Sequence, residues 1–246
     1  MRKLLYLIAS FLGVKIVRTG SGVVSIFMRR WPKESHSHEW LRNLSIKTVI
    51  DVGAHDGELA YQFHKVLPDA RIYSFEPLHD CFLRLNATMK NVPNSRSFNL
   101  ALGDTKGRVT MHRSEFSDSS SLLKMGQLHK EVFPFSAGEI LETVDVNTLD
   151  NIAQELDLED NILLKIDVQG YEHKVLIGSR NILNRIKVII VETSFYELYE
   201  GQPLFADIYE LLNKKGFVYS GSWGELKRPL DGAALQQDSI FIRKSS

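Results

Sequence analysis

The sequence has few of the features that mark disulfide-stabilised, zinc-binding or nucleic-acid-binding proteins. Cys81 is its single cysteine, which excludes an intrachain disulfide and a zinc site built from cysteines. The 30 lysines and arginines are balanced by 30 acidic residues, so no overall basic charge would attract DNA or RNA, and we expect no nucleic-acid partner. One cysteine also suits a reducing compartment, and we expect a cytoplasmic protein.

Long hydrophobic runs are scarce as well. Residues 4–14 are apolar, but a span of the bilayer needs about 20 such residues, and Lys15 and Arg18 follow without a small-residue cleavage pattern. We interpret residues 1–44 as a largely helical extension that packs on the domain. The alternative is a peripheral membrane contact, in which basic residues flank Phe27 and Trp31 on a membrane surface.

A regular alternation of strands and helices begins near residue 46. The predicted strands are residues 48–52, 71–76, 97–102, 161–168, 188–193, 217–220 and 239–243. The predicted helices between them are residues 59–67, 80–91, 171–183 and 203–215. This order requires parallel strands with right-handed crossovers, so residues 45–246 are predicted to form one doubly wound α/β domain.

The middle of the chain departs from this alternation. Residues 108–113 and 140–146 are predicted strands, and residues 148–156 are a predicted helix capped near Asn147. Polar, loop-like segments separate the two strands. We interpret this block as an insertion at the edge of the sheet or over the functional site.

The turn after the first strand, Gly53-Ala54-His55-Asp56-Gly57, has the composition of a ligand-binding turn. Glycine allows a close approach of the backbone, and the N-terminus of the following helix favours a carboxylate or phosphate. The glycine spacing differs from the dinucleotide pattern Gly-x-Gly-x-x-Gly. The acidic Asp51 and Asp56 would be unfavourable beside a pyrophosphate, whereas S-adenosylmethionine carries an ammonium and a sulfonium. The turn therefore favours S-adenosylmethionine over NAD.

An acidic residue follows the second predicted strand at the spacing that such a ligand needs. Glu76 lies 23 residues after Gly53 and is followed by Pro77. An acid about 20 residues beyond a glycine turn can accept hydrogen bonds from both ribose hydroxyls. Glu76 and the turn are thus predicted to bind the cofactor together.

Several short motifs in this order resemble the FkbM family of class I, S-adenosylmethionine-dependent methyltransferases. They are DVGAHDG (51–57), FEP (75–77), NLALGD (99–104), SSSL (119–122), VNTLD (146–150), KIDVQGYE (165–172), VET (191–193) and QDSIF (237–241). The resemblance covers residues 46–244. His55 stands where the family usually has Asn, and Gln169 where it often has Glu. The resemblance implies a seven-stranded sheet and methyl transfer to a hydroxyl of a sugar, polyketide or similar metabolite.

Methyl transfer to an alcohol requires a group that removes the hydroxyl proton. Asp167 and Glu192 follow adjacent predicted strands and are the leading candidates, with Glu172 nearby at the start of a helix. The alternative is structural, with Asp167 as a helix cap and Glu192 bound by a neighbouring backbone. A divalent metal bound near these acids is also compatible with the sequence, although its ligands are not predicted.

Other site residues follow the third strand and the insertion. Leu102 and Gly103 are predicted to lie against the adenine, whose ring the backbone N–H groups could bind, while Asp104 accepts from its amino group or forms a turn. The serines at 119–121 are a candidate wall of the acceptor pocket. The expected acceptor is a small molecule or glycan, and the oligomeric state is not predicted.

Two other functions remain open at this stage. An NAD-dependent oxidoreductase could use the Tyr-x-x-x-Lys pair Tyr61 and Lys65, although this pair lies in the first predicted helix. A non-catalytic module would retain the cofactor pocket and use the acids structurally. Cofactor affinity and product formation discriminate between these functions.

Overall fold

The computed structural model describes residues 14–19, 22–27, 35–228 and 230–244, and side chains from residue 39 onward. Its strands are β1 (Val14–Thr19), β2 (Gly22–Phe27), β3 (Thr48–Val52), β4 (Arg71–Phe75), β5 (Ser95–Phe98), β6 (Ala101–Leu102), β7 (Gly107–Ser114), β8 (Glu139–Asn147), β9 (Ile162–Ile166), β10 (Ile186–Ser194), β11 (Phe217–Lys227) and β12 (Ala234–Arg243). Its α-helices are α1 (Glu58–Val66), α2 (His79–Met89), α3 (Gln127–Val132), α4 (Leu149–Ile152), α5 (Glu172–Ile177) and α6 (Phe205–Lys214). Short 3-10 helices are Ser35–Leu44, Ser117–Ser119, Pro134–Ser136, Ala153–Glu155 and Ile182–Arg185.

The main sheet has seven strands in the order β5-β4-β3-β9-β10-β12-β11. β3 pairs in parallel with both β4 and β9, and β9 pairs in parallel with β10. β12 is antiparallel to both of its neighbours. The predicted doubly wound α/β fold is confirmed, and the carboxyl ends of β4, β3, β9 and β10 meet at one edge.

The central strands are buried because helices cover both faces of the sheet. Alternate residues of β3, β9 and β10 enter two separate cores, as the alternation of side chains along a strand requires. One core contains Ile50, Leu164 and Ile189 with residues of α6. The other contains Val49, Leu163 and Ile190 with residues of α1.

The insertion forms a second sheet of three strands in the order β6-β8-β7. The single strand predicted for residues 97–102 is therefore wrong, because β5 belongs to the main sheet and β6 pairs with β8. Asn99 lies between them and donates from Nδ2 to the carbonyls of Glu76 and Pro77, at 2.9 and 2.7 Å. This contact allows the chain to leave one sheet for the other.

The predicted cap of the helix after β8 also needs correction. Thr148, rather than Asn147, is the N-cap of α4, and its side chain accepts from the backbone N–H of Asn151. Asn147 still contributes, since its Oδ1 accepts from Thr148 N at 2.9 Å and from Asn151 Nδ2 at 3.0 Å. The helix ends at Ile152 and continues as a 3-10 turn, so it is shorter than predicted.

The N-terminal extension is not uniformly helical, contrary to the prediction for residues 1–44. β1 and β2 form an antiparallel hairpin, with Val14 opposite Phe27, and only Ser35–Leu44 is helical, as a 3-10 helix. Both strands are rich in β-branched residues, which favour strands. Of the two aromatic residues in the alternative membrane-surface segment, Phe27 ends β2, and Trp31 lies outside the described residues. Within the described part of the chain, no helix is long and apolar enough to cross a membrane.

Candidate active site

The turn between β3 and α1 is glycine-rich because the rest of the chain packs closely against it. Gly53 has φ +79°, and a Cβ there would lie 1.9 Å from the carbonyl oxygen of Asp167. Gly57 has φ +82°, and its Cβ would lie 2.7 Å from Cδ1 of Leu85 on α2. From the sequence, both glycines were assigned to the close approach of a ligand. The structure shows that glycine is also required at both positions by tight packing and by the left-handed backbone conformation.

Glu76 lies beside this turn, as its spacing predicted. Oε2 accepts from the backbone N–H of His55 and Oε1 from that of Leu78, both at 2.9 Å. The residue is 5% exposed. Burial raises the pKa of Glu76 to about 7, against the opposing effect of the two hydrogen bonds. Each oxygen retains a second lone pair, which a hydroxyl can use.

His55, where the family usually has Asn, connects the turn to the insertion. Its Nε2 lies 2.8 Å from Ser117 Oγ, and its Nδ1 lies 3.1 Å from Asp118 Oδ1. Burial lowers the pKa of the imidazole, but the neighbouring carboxylates of Asp56 and Asp118, at 3.8 and 3.1 Å, outweigh it and raise the pKa to about 10. These two acids therefore favour the protonated ring. Sequence reasoning assigned His55 to the cofactor and missed this contact with the insertion.

Asp51 is placed in the interior rather than at the surface of the site. It is 0% exposed, and its two carboxylate oxygens have no hydrogen-bond partner among the residues that the structure describes. It is in register with Lys165 of β9. Burial raises the pKa of Asp51 to about 6, although Lys165 acts in the opposite direction. Asp51 thus lies buried below the turn, and its direct contact with a cofactor stays a prediction.

Asp167 and Glu192 are brought together by one side chain. Nε2 of Gln169 donates to Asp167 Oδ1 at 2.7 Å and to Glu192 Oε2 at 2.9 Å. The hydroxyl of Tyr199 donates to Oε1 of the same amide at 2.8 Å. Lys165 Nζ lies 3.2 Å from Asp167 Oδ2. The two predicted acids thus form a connected cluster at the carboxyl edge of the sheet.

Glu172 makes contacts that the sequence did not predict. Its Oε1 accepts from the backbone N–H groups of Val168 and Gly170, at 3.0 and 3.1 Å. Burial raises its pKa to about 7. The side chain supports the turn that carries Gln169, which has φ +56°. Glu172 therefore supports this turn, and its catalytic role stays a prediction.

The residues predicted to bind adenine make contacts within the protein. Leu102 is buried in the core, and the N–H of Gly103 donates to the carbonyl of Asn147 at 2.9 Å. Because this N–H is paired within the second sheet, it does not serve the ring as predicted. The Asp104 carboxylate forms an ion pair with Lys174 at 2.8 Å.

The serines of the insertion contact the acidic cluster. Ser121 Oγ donates to the backbone carbonyl of Gln169 at 2.6 Å. The carbonyl of Ser119 lies 3.2 Å from the Tyr199 hydroxyl, as a second and longer acceptor for the proton that this hydroxyl shares with Gln169 Oε1. The segment therefore lies next to the acids, where a wall of the acceptor pocket was predicted. Tyr199 gave no sequence signal, whereas Lys165 did, as a charge inside an apolar strand.

The arrangement fits S-adenosylmethionine at the turn. Glu76 offers its carboxylate beside the glycine turn, as ribose binding requires. For a metal, the described residues contain no group of three or more His, Cys, Asp or Glu side chains arranged to hold an ion.

The family is established by comparison of sequences. The profile of the family described as Methyltransferase FkbM domain matches residues 51–219. The chain belongs to the FkbM methyltransferase family. It is accordingly an enzyme that uses S-adenosylmethionine, and the oxidoreductase alternative is set aside. Consistent with this, Tyr61 and Lys65 are engaged with each other on α1, where the ammonium lies 4.6 Å from the ring centroid.

The chain is similar to two named relatives and to one solved structure. The FkbM chain is 30% identical over 170 residues to the 2-O-methyltransferase NoeI of Sinorhizobium fredii, covering 67% of this chain and 70% of NoeI. It is 28% identical over 203 residues to the AMB antimetabolite synthetase AmbE of Pseudomonas aeruginosa, covering 70% of this chain but only 10% of AmbE. An rRNA methylase from Streptococcus thermophilus superposes with a TM-score of 0.47 at 9% identity, covering 87% of this chain and 99% of that one.

Proposed function

We propose that the enzyme transfers a methyl group from S-adenosylmethionine to a hydroxyl of a sugar or glycan. The observation that carries this proposal is the pair Asp167 and Glu192, joined by Gln169 at the strand ends next to the cofactor turn. The relative NoeI, named a 2-O-methyltransferase, supports oxygen as the accepting atom.

The cofactor side of the site is the turn at residues 53–57 together with Glu76. The Glu76 carboxylate would accept from the ribose hydroxyls, in charge-assisted hydrogen bonds. When bound, S-adenosylmethionine supplies an electrophilic methyl group. The Gly53 backbone, which packs against the end of β9, brings this turn next to Asp167.

The acceptor side must bind a hydroxyl and take its proton. Asp167 is better placed for this than Glu192, because its side chain is 16% exposed whereas Glu192 is 2% exposed. The ammonium of Lys165 stabilises the ionised form of Asp167. The Asp167 carboxylate is thus assigned as the proton acceptor during methyl transfer. Glu192 is assigned to orient it through Gln169.

The remaining expectations concern partners and location. A cytoplasmic enzyme without a nucleic-acid partner is supported by the single buried cysteine and by the balanced charge. Peripheral membrane contact through the extension remains a proposal, tested by sedimentation of the full chain with anionic vesicles.

The activity is tested with S-adenosylmethionine labelled in its methyl group and a panel of mono- and oligosaccharides. We expect label in a saccharide hydroxyl, located by mass spectrometry, and a loss of about a thousandfold in kcat for Asp167→Asn. Calorimetry should show unchanged cofactor affinity in that variant. The matched control is Asp160→Asn, at the opposite end of the same strand, where the exposed carboxylate contacts Arg185. Full activity in Asp167→Asn would refute the assignment of the proton acceptor.

A further inference from the structure

The amide of Gln169 occupies the centre of the acidic cluster. We infer that Gln169 is a positioning residue that keeps Asp167 and Glu192 ionised together and fixes the direction of both carboxylates toward the acceptor. This inference rests on the proposed function, because it assigns how the proton acceptor of that same site is held.

The orientation of the amide is determined by its partners. Two carboxylates accept from Nε2, and both protons of the NH₂ group are needed to serve them. The opposite atom, Oε1, faces a hydroxyl donor on the fully buried Tyr199. Exchanging the two ends of the amide would place an oxygen against both carboxylates. The network therefore permits one orientation.

The backbone of Gln169 is fixed as firmly as its side chain. The residue has a left-handed φ of +56°. Ser121 donates to its carbonyl at 2.6 Å, and Glu172 accepts from the N–H groups on either side of it. These contacts place the amide, before any acceptor binds, within hydrogen-bond distance of both carboxylates.

The electrostatic consequence follows from the distances. Two carboxylates within 2.9 Å of one nitrogen repel each other, and such pairs ordinarily retain a proton. Hydrogen bonds from the NH₂ group favour the charged form of each acid. A carboxylate at position 169 would reverse this effect by adding a third acid at the same distances.

Other charged or titratable groups surround the cluster and belong in any account of its pH dependence. They come from the neighbouring strands, from the helix after β9 and from the segment after β10, and are Lys165, Asp51, Glu172, Tyr199 and Asp238. Asp238 of β12 is in register with Glu192 and is 1% exposed. The variants below leave all five unchanged, except where Tyr199 is itself the target.

The first measurement does not depend on turnover. The carboxyl carbons of Asp167 and Glu192 are titrated by ¹³C NMR in the wild type, Gln169→Ala and Gln169→Glu. We expect the apparent pKa values of the pair to rise by about one unit in Gln169→Ala and further in Gln169→Glu. Unchanged titration in both variants would overturn the inference. Gln127→Ala, which removes an exposed amide on α3, is the control.

The second measurement is the pH profile of kcat/KM. Removing Gln169 should lower kcat by about a hundredfold at neutral pH and move the acidic limb to higher pH. Tyr199→Phe, which removes the hydroxyl donor to Oε1, should give a smaller shift in the same direction. A lower rate without any shift of the limb would mean that Gln169 merely supports the fold.

These outcomes separate the inference from the proposed function. If no saccharide is methylated but the NMR titrations shift as expected, the acceptor class is wrong and the role of Gln169 stands. If saccharides are methylated and the acidic limb does not move, the acceptor class stands and the role of Gln169 is wrong. Calorimetry with S-adenosylmethionine confirms in each variant that the cofactor side is intact.

Discussion

Acids on the two sides of the active site are held by different kinds of donor. Glu76, on the cofactor side, accepts from two backbone N–H groups. Asp167 and Glu192, on the acceptor side, accept from the side-chain amide of Gln169. Backbone donors are present whatever the residue, whereas an amide side chain at 169 is specific to the sequence. The donors to Glu76 are therefore retained when His55 or Leu78 is substituted, whereas the donor shared by Asp167 and Glu192 is lost when Gln169 is substituted.

We expect the largest effect from substitution of Lys165, because its ammonium lies between an acid of the cofactor side and an acid of the acceptor side. This 3% exposed side chain is in register with Asp51 of β3 and pairs with Asp167. Lys165→Met leaves two acids without their cation, and we expect a loss of about 3–5 kcal/mol in unfolding free energy. Denaturant titration measures it. The double variant Asp51→Asn with Lys165→Met should recover part of the loss, and strictly additive losses would contradict this coupling.

Gly53 also joins the two sides, through its contact with the Asp167 carbonyl. Gly53→Ala combines an unfavourable φ with a Cβ placed 1.9 Å from that oxygen. We expect a loss of more than about 2 kcal/mol in stability, together with weaker cofactor binding. Gly232→Ala is the control, since Gly232 has a similar φ of +73° and nothing lies within 4 Å of its Cβ. Equal losses of stability in the two variants would leave only backbone strain as the cause.

Glu76→Gln should affect the cofactor side alone. The substitution replaces one acceptor oxygen with a donor, so we expect affinity for S-adenosylmethionine to fall about tenfold to a hundredfold by calorimetry. The Glu58→Gln variant of the exposed first turn of α1 is the control. If cofactor affinity is unchanged, Glu76 does not bind the ribose.

The pH dependence of the affinity for S-adenosylmethionine is a second test of the assignment of Glu76 to the ribose. Burial raises the folded-state pKa of Glu76 to about 7, so the carboxylate becomes protonated as the pH falls through 7. We expect wild-type cofactor affinity to decrease from pH 8 to pH 6, and the decrease to be absent in Glu76→Gln. The folded state binds the Glu76 proton more tightly than the unfolded state does. The free energy of unfolding therefore falls as the pH rises from 4.5 to 7, because the buried carboxyl loses this proton.

The smallest expected effect is at His55. Asn adopts the observed φ of +49° readily, so His55→Asn should preserve the turn and the backbone contact with Glu76. It removes the contacts with Ser117 and Asp118, and we expect a cost of about 0.5 kcal/mol. Faster hydrogen exchange in residues 115–120 would report it. His79→Asn on the exposed start of α2 should leave that exchange unchanged.

The cofactor side could be predicted from the sequence because its signals are local. β3, the following turn and Glu76 are specified by an apolar run, glycine spacing and a strand end, and all were found where expected. The acceptor side was predicted only as two acids. The bridging contact of Gln169 and the donor Tyr199 depend on the crossover from β9 to β10, which no local pattern describes.

The errors in the fold have the same physical origin. Residues 97–102 have strand propensity throughout, and only pairing with β8 shows that Ala101 and Leu102 belong to another sheet. The Gly103 N–H was assigned to adenine because its partner, the Asn147 carbonyl, is distant in sequence. The contact of Glu172 with its own turn was not predicted, because a charged residue beside a strand end does not reveal its partners.

The antiparallel pairing of β7 and β8 has a consequence for the two sides of the active site. Gly107 is opposite Val146 at one end of the ladder, and Ser114 is opposite Glu139 at the other. Residues 115–138 therefore leave this ladder and return to it at the same end. This segment contacts the cofactor turn through Ser117 and His55, and the acidic cluster through Ser121 and Gln169. One insertion therefore connects the two sides of the active site, and a change in its sequence would reach both.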